Sequence, residues 1–219
     1  MLLSDAVTDK TTDATGVTFR RGNGRTDRAA YDLDAVLDIA VATFNERGYE
    51  ASSISVLAER LGTSKSALYY HVSGKEELLS RALGRALGAL EMVLDDAAAS
   101  AGSAADRLER ALRGAVRVLV DELPSVTLLL RVRGNTDVER DAVHRRRVVD
   151  HRLSEFVLAA REEGSLRDDL DAGTTSRLLF GMINSLVEWY RPDGPLSPEA
   201  LADTVVSVAF DGLRRSVVE

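Results

Sequence analysis

Residues 61–79 read LGTSKSALYYHVSGKEELL, with two adjacent tyrosines, a histidine and two lysines in one helix-turn segment. Gly62-Thr63-Ser64 separates two short helical patterns. Upstream, Ser52 or Ser53 can cap a helix whose inner face is Ile54, Leu57, Ala58 and Leu61, and Gly62 ends it. Downstream, Ser64 caps a second helix from Lys65 to His71. Leu68 and Val72 lie four apart and must face inward to hold that helix on its partners, which leaves Lys65, Ser66, Tyr69 and Tyr70 outward. Two short helices joined by so tight a turn match a helix-turn-helix, whose second helix enters the major groove of DNA.

The chemistry of the outward face fits that use. Between Arg60 and Lys75 there is no acidic residue, although charged residues make up 29% of the chain. A carboxylate there would repel phosphates, so the clearance is what a groove-facing surface needs. Lys65 can reach a guanine edge or a phosphate, and tyrosine hydroxyls donate to phosphate oxygens. The helix starts near Ser53 and Ser64 offer backbone N–H groups to phosphate, and Lys75 follows at the position of a backbone contact. A merely solvated face would carry the same tyrosines and lysine.

Working outward, the chain has 219 residues, enough for one or two domains with a real core. It is 45% hydrophobic, has four prolines and is rich in alanine, leucine, arginine and glutamate, a composition for helices. Cysteine is absent, which excludes disulfides and cysteine metal sites and fits a reducing cytoplasm. The opening MLLSDAVTDK lacks the basic start and apolar run of a secretion signal, so a cytoplasmic location is expected. The longest apolar stretch, LLFGMINSLV at 178–187, is about half of the ~20 residues a membrane span needs. A net charge of −7 argues against indiscriminate nucleic-acid binding but leaves room for a local basic patch, because screening is strong beyond ~8 Å.

Residues 1–28 read as a flexible tail ending in a basic arm, where Arg20, Arg21, Arg25 and Arg28 face only Asp27. Such an arm adds phosphate affinity and can reach the minor groove. Residues 29–76 form the helix-turn-helix domain, starting with a helix that carries Val36, Leu37, Ala40, Val41 and Phe44 and stops at Gly48. Residues 77–219 form a larger domain, led by a long helix with Glu76 and Glu77 in its first turn. Further helices are predicted over about 104–122, 125–133, 137–163, 172–190 and 198–216, with breaks at Pro124, Gly134, Gly164 and RPDGPLSP. No useful strand pattern appears, and the fold class is all-α: three short helices joined by a long one to a helical bundle.

The stretch FNERGYEASSISVLAERLGTSKSALYYHVSGKEELL, residues 44–79, closely resembles the DNA-binding domain of the TetR family of bacterial transcriptional regulators. Phe44, Gly48, Tyr49, Ile54, Ala58, Gly62, Ser64, Leu68, Tyr69, His71, Lys75, Glu76 and Leu78 stand where the family's pattern has such residues. Val72 replaces a usual phenylalanine, Thr63 a usual valine and Ser66 a frequent glycine. The resemblance implies a two-domain helical repressor that dimerises through its last two helices, reads a palindromic operator and releases it on binding a small inducer. It implies a DNA-facing set of Ser53, Ser64, Lys65, Ser66, Tyr69, Tyr70, His71 and Lys75.

In the larger domain, SLVEWYRPDGPLSPEALAD at 185–203 resembles a segment of the family members that sense acyl-CoA thioesters. The stripes Leu178, Leu179, Met182, Ile183, Leu186, Val187 and Leu201, Val205, Val208, Ala209, Leu213 suit either a plain core or a four-helix dimer interface. HRRRVVDHR at 144–152 suits a solvated basic face or a cluster that receives a ligand's phosphates or carboxylate. Its histidines are seven apart, and no third ligand is obvious, so no metal is expected. The expected anchors are Arg131, Arg147 and His151, with Leu128, Phe156, Phe180 and Met182 around an acyl chain and Asn184 and Trp189 at the pocket wall. An acyl-CoA inducer is expected, and a hydrophobic acid or drug-like inducer is the alternative. The remoter rivals are a ligand-independent DNA-binding protein, which a domain of this size disfavours, and a helical enzyme. The sequence offers the latter no nucleophile elbow, phosphate loop or metal-spaced histidine pair, and no cofactor is expected.

Overall fold

The computed structural model describes residues 33–214 and the backbone of residues 10–12 and 18–20. In the first 32 residues, strands β1 (Lys10–Thr12) and β2 (Thr18–Arg20) pair antiparallel, with Thr11 opposite Phe19. The sequence pattern assigns no strand there, because three residues are too few for alternation to register. The expected flexible tail otherwise lies outside the described residues, as do the side chains of the basic arm at Arg20, Arg21, Arg25 and Arg28.

Between residues 33 and 213 the chain is helical. Helices α1 (Leu33–Arg47), α2 (Ile54–Arg60) and α3 (Lys65–His71) lead into the long α4 (Lys75–Ala99). The bundle is completed by α5 (Ala104–Asp121), α6 (Leu123–Arg131), α7 (Asp137–Glu162), α8 (Ala172–Asn184), α9 (Leu186–Trp189) and α10 (Pro198–Leu213). No described helix is long and apolar enough to cross a membrane.

The helix ends follow capping rules. Ser53 Oγ accepts from Val56 N at 3.3 Å, and Ser64 Oγ accepts from Ala67 N at 3.1 Å. Gly62 closes α2 at φ 65°, with Thr63 N donating to Ala58 O and Gly62 N to Glu59 O, a paired C-cap that puts this residue in the left-handed region. Ser103 and Asp106 form a reciprocal capping box on α5. The predicted helix over 172–190 is broken at Ser185, which separates α8 from α9. There the Ser185 hydroxyl donates to Met182 O at 2.7 Å and Glu188 N to Ser185 O at 3.1 Å, tightening one turn. The break expected at Pro124 falls at Glu122, and Pro124 sits in the first turn of α6, where its missing N–H costs no hydrogen bond.

The small N-terminal core joins Phe44, Leu57 and Leu68, with Phe44 edge-on to Tyr49 at 5.3 Å. The expected boundary at 76/77 falls within the first turn of α4, and α1 packs directly on the bundle. Asn45 Nδ2 donates to Pro124 O at 2.8 Å, and Arg131 Nη1 donates to Asn45 O at 2.7 Å. Arg85 on α4 adds bonds to Asp38 (2.8 Å) and Asp34 (3.0 Å) and lies 3.8 Å from Glu122. One loop is fixed by a buried carboxylate: Glu139 Oε2 accepts from the backbone N–H groups of Arg133, Gly134 and Asn135 at 2.9–3.1 Å. That turn holds the α6–α7 corner beside the cavity described below.

Candidate nucleic-acid interface and ligand cavity

Helix α3 presents a polar face because its only buried side chain is Leu68, backed by Val72 at its C-cap. Lys65, Ser66, Tyr69 and Tyr70 all point to solvent, Tyr70 with 88% of its surface exposed. His71 is half-buried and meets the Tyr70 ring edge-on at 5.4 Å. Because Ser53 and Ser64 accept the capping bonds through Oγ, their hydroxyl protons remain available to an acceptor such as a phosphate. Six of the eight candidates thus gather at the turn and along α3, and Ser53 stands at the start of α2.

Lys75 is placed differently from its neighbours. Its Nζ donates to Tyr49 O at 3.2 Å, lies 3.6 Å from Glu50 and stands 4.2 Å from the centre of the Tyr49 ring. The lysine therefore closes the three-helix unit onto α4 and offers phosphate only what those contacts leave free. Glu77 performs a related task, accepting from Ser73 N at 2.7 Å and pairing with Arg81. The Ser73 backbone hydrogen bond, followed by the Arg81 contact, pulls its carboxyl from the ordinary 4.5 down to about 2.

Between α4, α5, α6, α7 and α8 lies a cavity of about 490 Å³. Its apolar wall includes Leu90, Val118, Leu130 and Phe180, and Ala86 and Ala115 leave room on α4 and α5. Of the sequence candidates, Arg147, Phe180 and Asn184 line it. Six do not line it. Arg131 turns away to the Asn45 carbonyl on α1. His151 stands in solvent 3.5 Å from Glu155. Leu128 and Phe156 are consumed in the core, Met182 lies off the lining, and Trp189 is 53% exposed on the outer surface. Arg133, which the sequence offers beside Arg131 as an addition to the basic cluster, and Arg146, which lies unsingled within HRRRVVDHR, also line the cavity, and Arg177 carried no signal in the sequence. A polar guanidinium inside an apolar shell leaves a local signal only in the run Arg145-Arg146-Arg147, where helical phase against the helices packed on α7 decides which of them reach the cavity. Among the described residues no cluster of three or more His, Cys, Asp or Glu could hold a metal ion.

An exposed, acid-free recognition helix on a three-helix unit, joined to a bundle with a cavity, defines a helix-turn-helix transcriptional regulator with a ligand-sensing domain. Residues 36–82 match the family model "Bacterial regulatory proteins, tetR family", and residues 101–213 match "Tetracyclin repressor-like, C-terminal domain". The chain belongs to the TetR family. A solved TetR-family regulator from Streptomyces coelicolor A3 is 44% identical, covering 94% of this chain and 100% of that one at a TM-score of 0.76. The transcriptional repressor KstR2 of Mycobacterium tuberculosis is 26% identical over 191 residues, 84% of this chain and 93% of the relative. AibR, solved in complex with isovaleryl coenzyme A and operator DNA, shares the fold at a TM-score of 0.70 with 24% identity, over 81% of this chain and 97% of that one.

Proposed function

We propose that this protein is a repressor that binds a palindromic operator as a homodimer and is released by a small anionic amphiphile, an acyl-CoA thioester in the first instance. The observation that carries the DNA half is the outward face of α3, where Lys65, Tyr69 and Tyr70 stand free of any carboxylate from Arg60 to Lys75. Ser53 and Ser64 add hydroxyls at the two helix starts. The basic arm would supply further phosphate contacts. A role without bond-making chemistry follows from the same set of groups, which bind and orient but include no nucleophile paired with a base.

The inducer half is supported by the cavity. About 490 Å³ of mostly apolar space suits an acyl group, and arginines in its lining suit an anion. AibR, of the same fold, was solved holding both an acyl-CoA and operator DNA. KstR2 is named a repressor. Dimerisation through the last two helices is supported by Leu178, Trp189 and Val208, exposed at 70%, 53% and 61% on α8, α9 and α10. The ligand would act by favouring a conformation whose recognition helices no longer match the half-sites, so its differential affinity for the two states sets the response.

Calorimetric titration with acyl-CoAs of graded length and the matching free acids, alongside operator binding by fluorescence anisotropy, tests this. Thioester binding that lowers operator affinity is the expected result. Binding of free acids with no binding of any thioester would replace the inducer class by a hydrophobic acid. Operator affinity unmoved by every ligand would remove the sensing function.

A further inference from the structure

The chain carries a net charge of −7, yet the charged groups lining its cavity are Arg133, Arg146, Arg147 and Arg177 against the single Asp150. Asp150 is already engaged, accepting from Ser176 Oγ at 3.1 Å and lying 3.7 Å from Arg177. It therefore does not neutralise the other three.

Two neighbouring arginines on α7 are matched to carboxylates. Arg145 makes a two-pronged contact with Glu91 at 3.0 and 2.8 Å, and Arg152 reaches Asp95 at 2.6 Å. Arg146, between them in sequence, has no carboxylate within ion-pair distance among the described residues. Among the described residues its only side-chain hydrogen bond is a long one, from Nη1 to Leu129 O at 3.3 Å. Arg133 is similarly left with the Leu130 carbonyl at 3.3 Å. Burial, and then the positive charge of Arg133, hold the Arg146 guanidinium below its ordinary pKa. A guanidinium still keeps its proton at any physiological pH. The two arginines thus repel one another at the edge of an apolar space, in a protein rich in carboxylates. An anion brought in from outside would relieve that arrangement.

We propose that Arg146, backed by Arg133, is the anion-recognition subsite of the cavity. It takes the carboxylate or phosphate of an amphipathic ligand whose apolar part lies against Leu90, Val118 and Phe180. This rests on the cavity being the inducer site and adds which residues read the charge. The geometry suits either anion, because the free N–H groups of a guanidinium fork can donate to two oxygens of one group.

Two fluorescent probes of similar ring size separate charge from apolar fit: 8-anilinonaphthalene-1-sulfonate and the uncharged N-phenyl-1-naphthylamine. Both are expected to bind the full-length protein. Arg146→Gln is expected to weaken the sulfonate at least about tenfold, which is about 1.4 kcal/mol, while leaving the neutral probe within about twofold. Arg133→Gln, at an exposed position that folding does not depend on, is expected to weaken the sulfonate by less. Displacement of the sulfonate by decanoate, decyl phosphate and decanol then identifies the head group, with either anion ahead of the alcohol.

Thermal melting supplies the control. If Arg146 served only to tie α7 to α6, Arg146→Gln would lower the melting temperature and leave sulfonate affinity unchanged, and the proposal would fall. A charge held at electrostatic cost gives the opposite pattern, with melting unchanged or raised. Equal displacement by decanol and decanoate would likewise overturn it. Failure of both probes to bind the wild-type protein would remove the cavity itself as a ligand site and this subsite with it. Binding of the neutral probe with an Arg146-independent sulfonate would remove the subsite alone.

Discussion

At Tyr70 the ring projects from α3 with 88% of its surface exposed and its hydroxyl free for an acceptor. A phenol donating to a phosphate oxygen makes a charge-assisted bond, so Tyr70→Ala is expected to weaken operator binding by ~1–3 kcal/mol without changing thermal stability. Anisotropy titration and melting of the same variant check both halves. Lys75 should behave differently, because its ammonium is already committed to Tyr49 O and the Tyr49 ring. Lys75→Ala is expected to lower stability by about 0.5–1.5 kcal/mol as well as operator affinity. Unchanged melting would show that the Tyr49 contacts contribute nothing. Glu77 links stability to pH. Its folded pKa of about 2 lies below the ordinary 4.5, so its contribution is present above about pH 4.5 and is lost as pH falls towards 2. Glu77→Gln is expected to flatten the acid limb of a stability-versus-pH curve, and an unaltered limb would assign the acid loss to other carboxylates. The outward set on α3 was legible in the sequence because Leu68 and Val72 fix the helix phase locally. The fate of Lys75 was not, since its partner Tyr49 is 26 residues away. Arg146 was hidden for a related reason. Three consecutive arginines differ by ~100° of helical rotation each, and only the placement of α4 and α6 around α7 tells them apart.

Among the elements, α6 is the one that joins the cavity wall to α1. Val126, Leu129 and Leu130 on its inner side line the cavity, while Pro124 and Arg131 near its two ends bond to Asn45 on α1. A ligand that moves α6 therefore acts on α1 through two hydrogen bonds, and a ligand anion that draws Arg146 from Leu129 O would be one way to move it. Asn45→Ala removes the side-chain bond to Pro124 without touching the cavity. It is expected to leave inducer affinity unchanged and to alter the ligand-dependent loss of operator affinity by ~0.5–2 kcal/mol, measured as the shift in operator affinity at saturating acyl-CoA. An identical shift in wild type and variant would exclude this route. A packing prediction belongs at the same scale. A methyl placed on Gly114 of α5 would stand 2.3 Å from Val93 Cγ1 of α4. Gly114→Ala is thus expected to force the two helices apart and to destabilise by ~1–3 kcal/mol, despite the better helix propensity of alanine. Helix positions were largely legible from periodicity and caps, with Ser64 and Gly62 marking their turn to the residue. The α8–α9 break was not, because the Ser185 hydroxyl can either stay in solvent or bond back to Met182, and the sequence is the same in both cases.

For the whole molecule, the question is what two copies accomplish that one does not. A seven-residue recognition helix spans only a few base pairs, too few to single out one operator in a genome. A two-fold dimer sets a pair of such helices one DNA turn apart, ~34 Å, or at a larger multiple, and multiplies the discrimination. The surface proposed for that pairing is the outer side of α8 and α10. Leu178 and Gly181 on α8 and Val208 and Gly212 on α10 are exposed, and a methyl added to either glycine would meet nothing within 4 Å. Exposed apolar side chains interleaved with glycine give a helix face that another helix can approach closely. A stable interface requires roughly 800 Å² from each partner, which four packed helices can supply. Val208→Asp would place a carboxylate in the centre of that contact, and across a two-fold axis it would meet its own copy. The variant is expected to sediment as a monomer at micromolar concentration where the wild type is a dimer. Its melting should change little, because Val208 is already in solvent within one chain. Operator affinity should fall at least tenfold, since the second half-site would no longer be bound at the high effective concentration that tethering provides. A monomeric wild type with full operator affinity would overturn the arrangement. So would a Val208→Asp variant that stays dimeric, which would move the interface to another face.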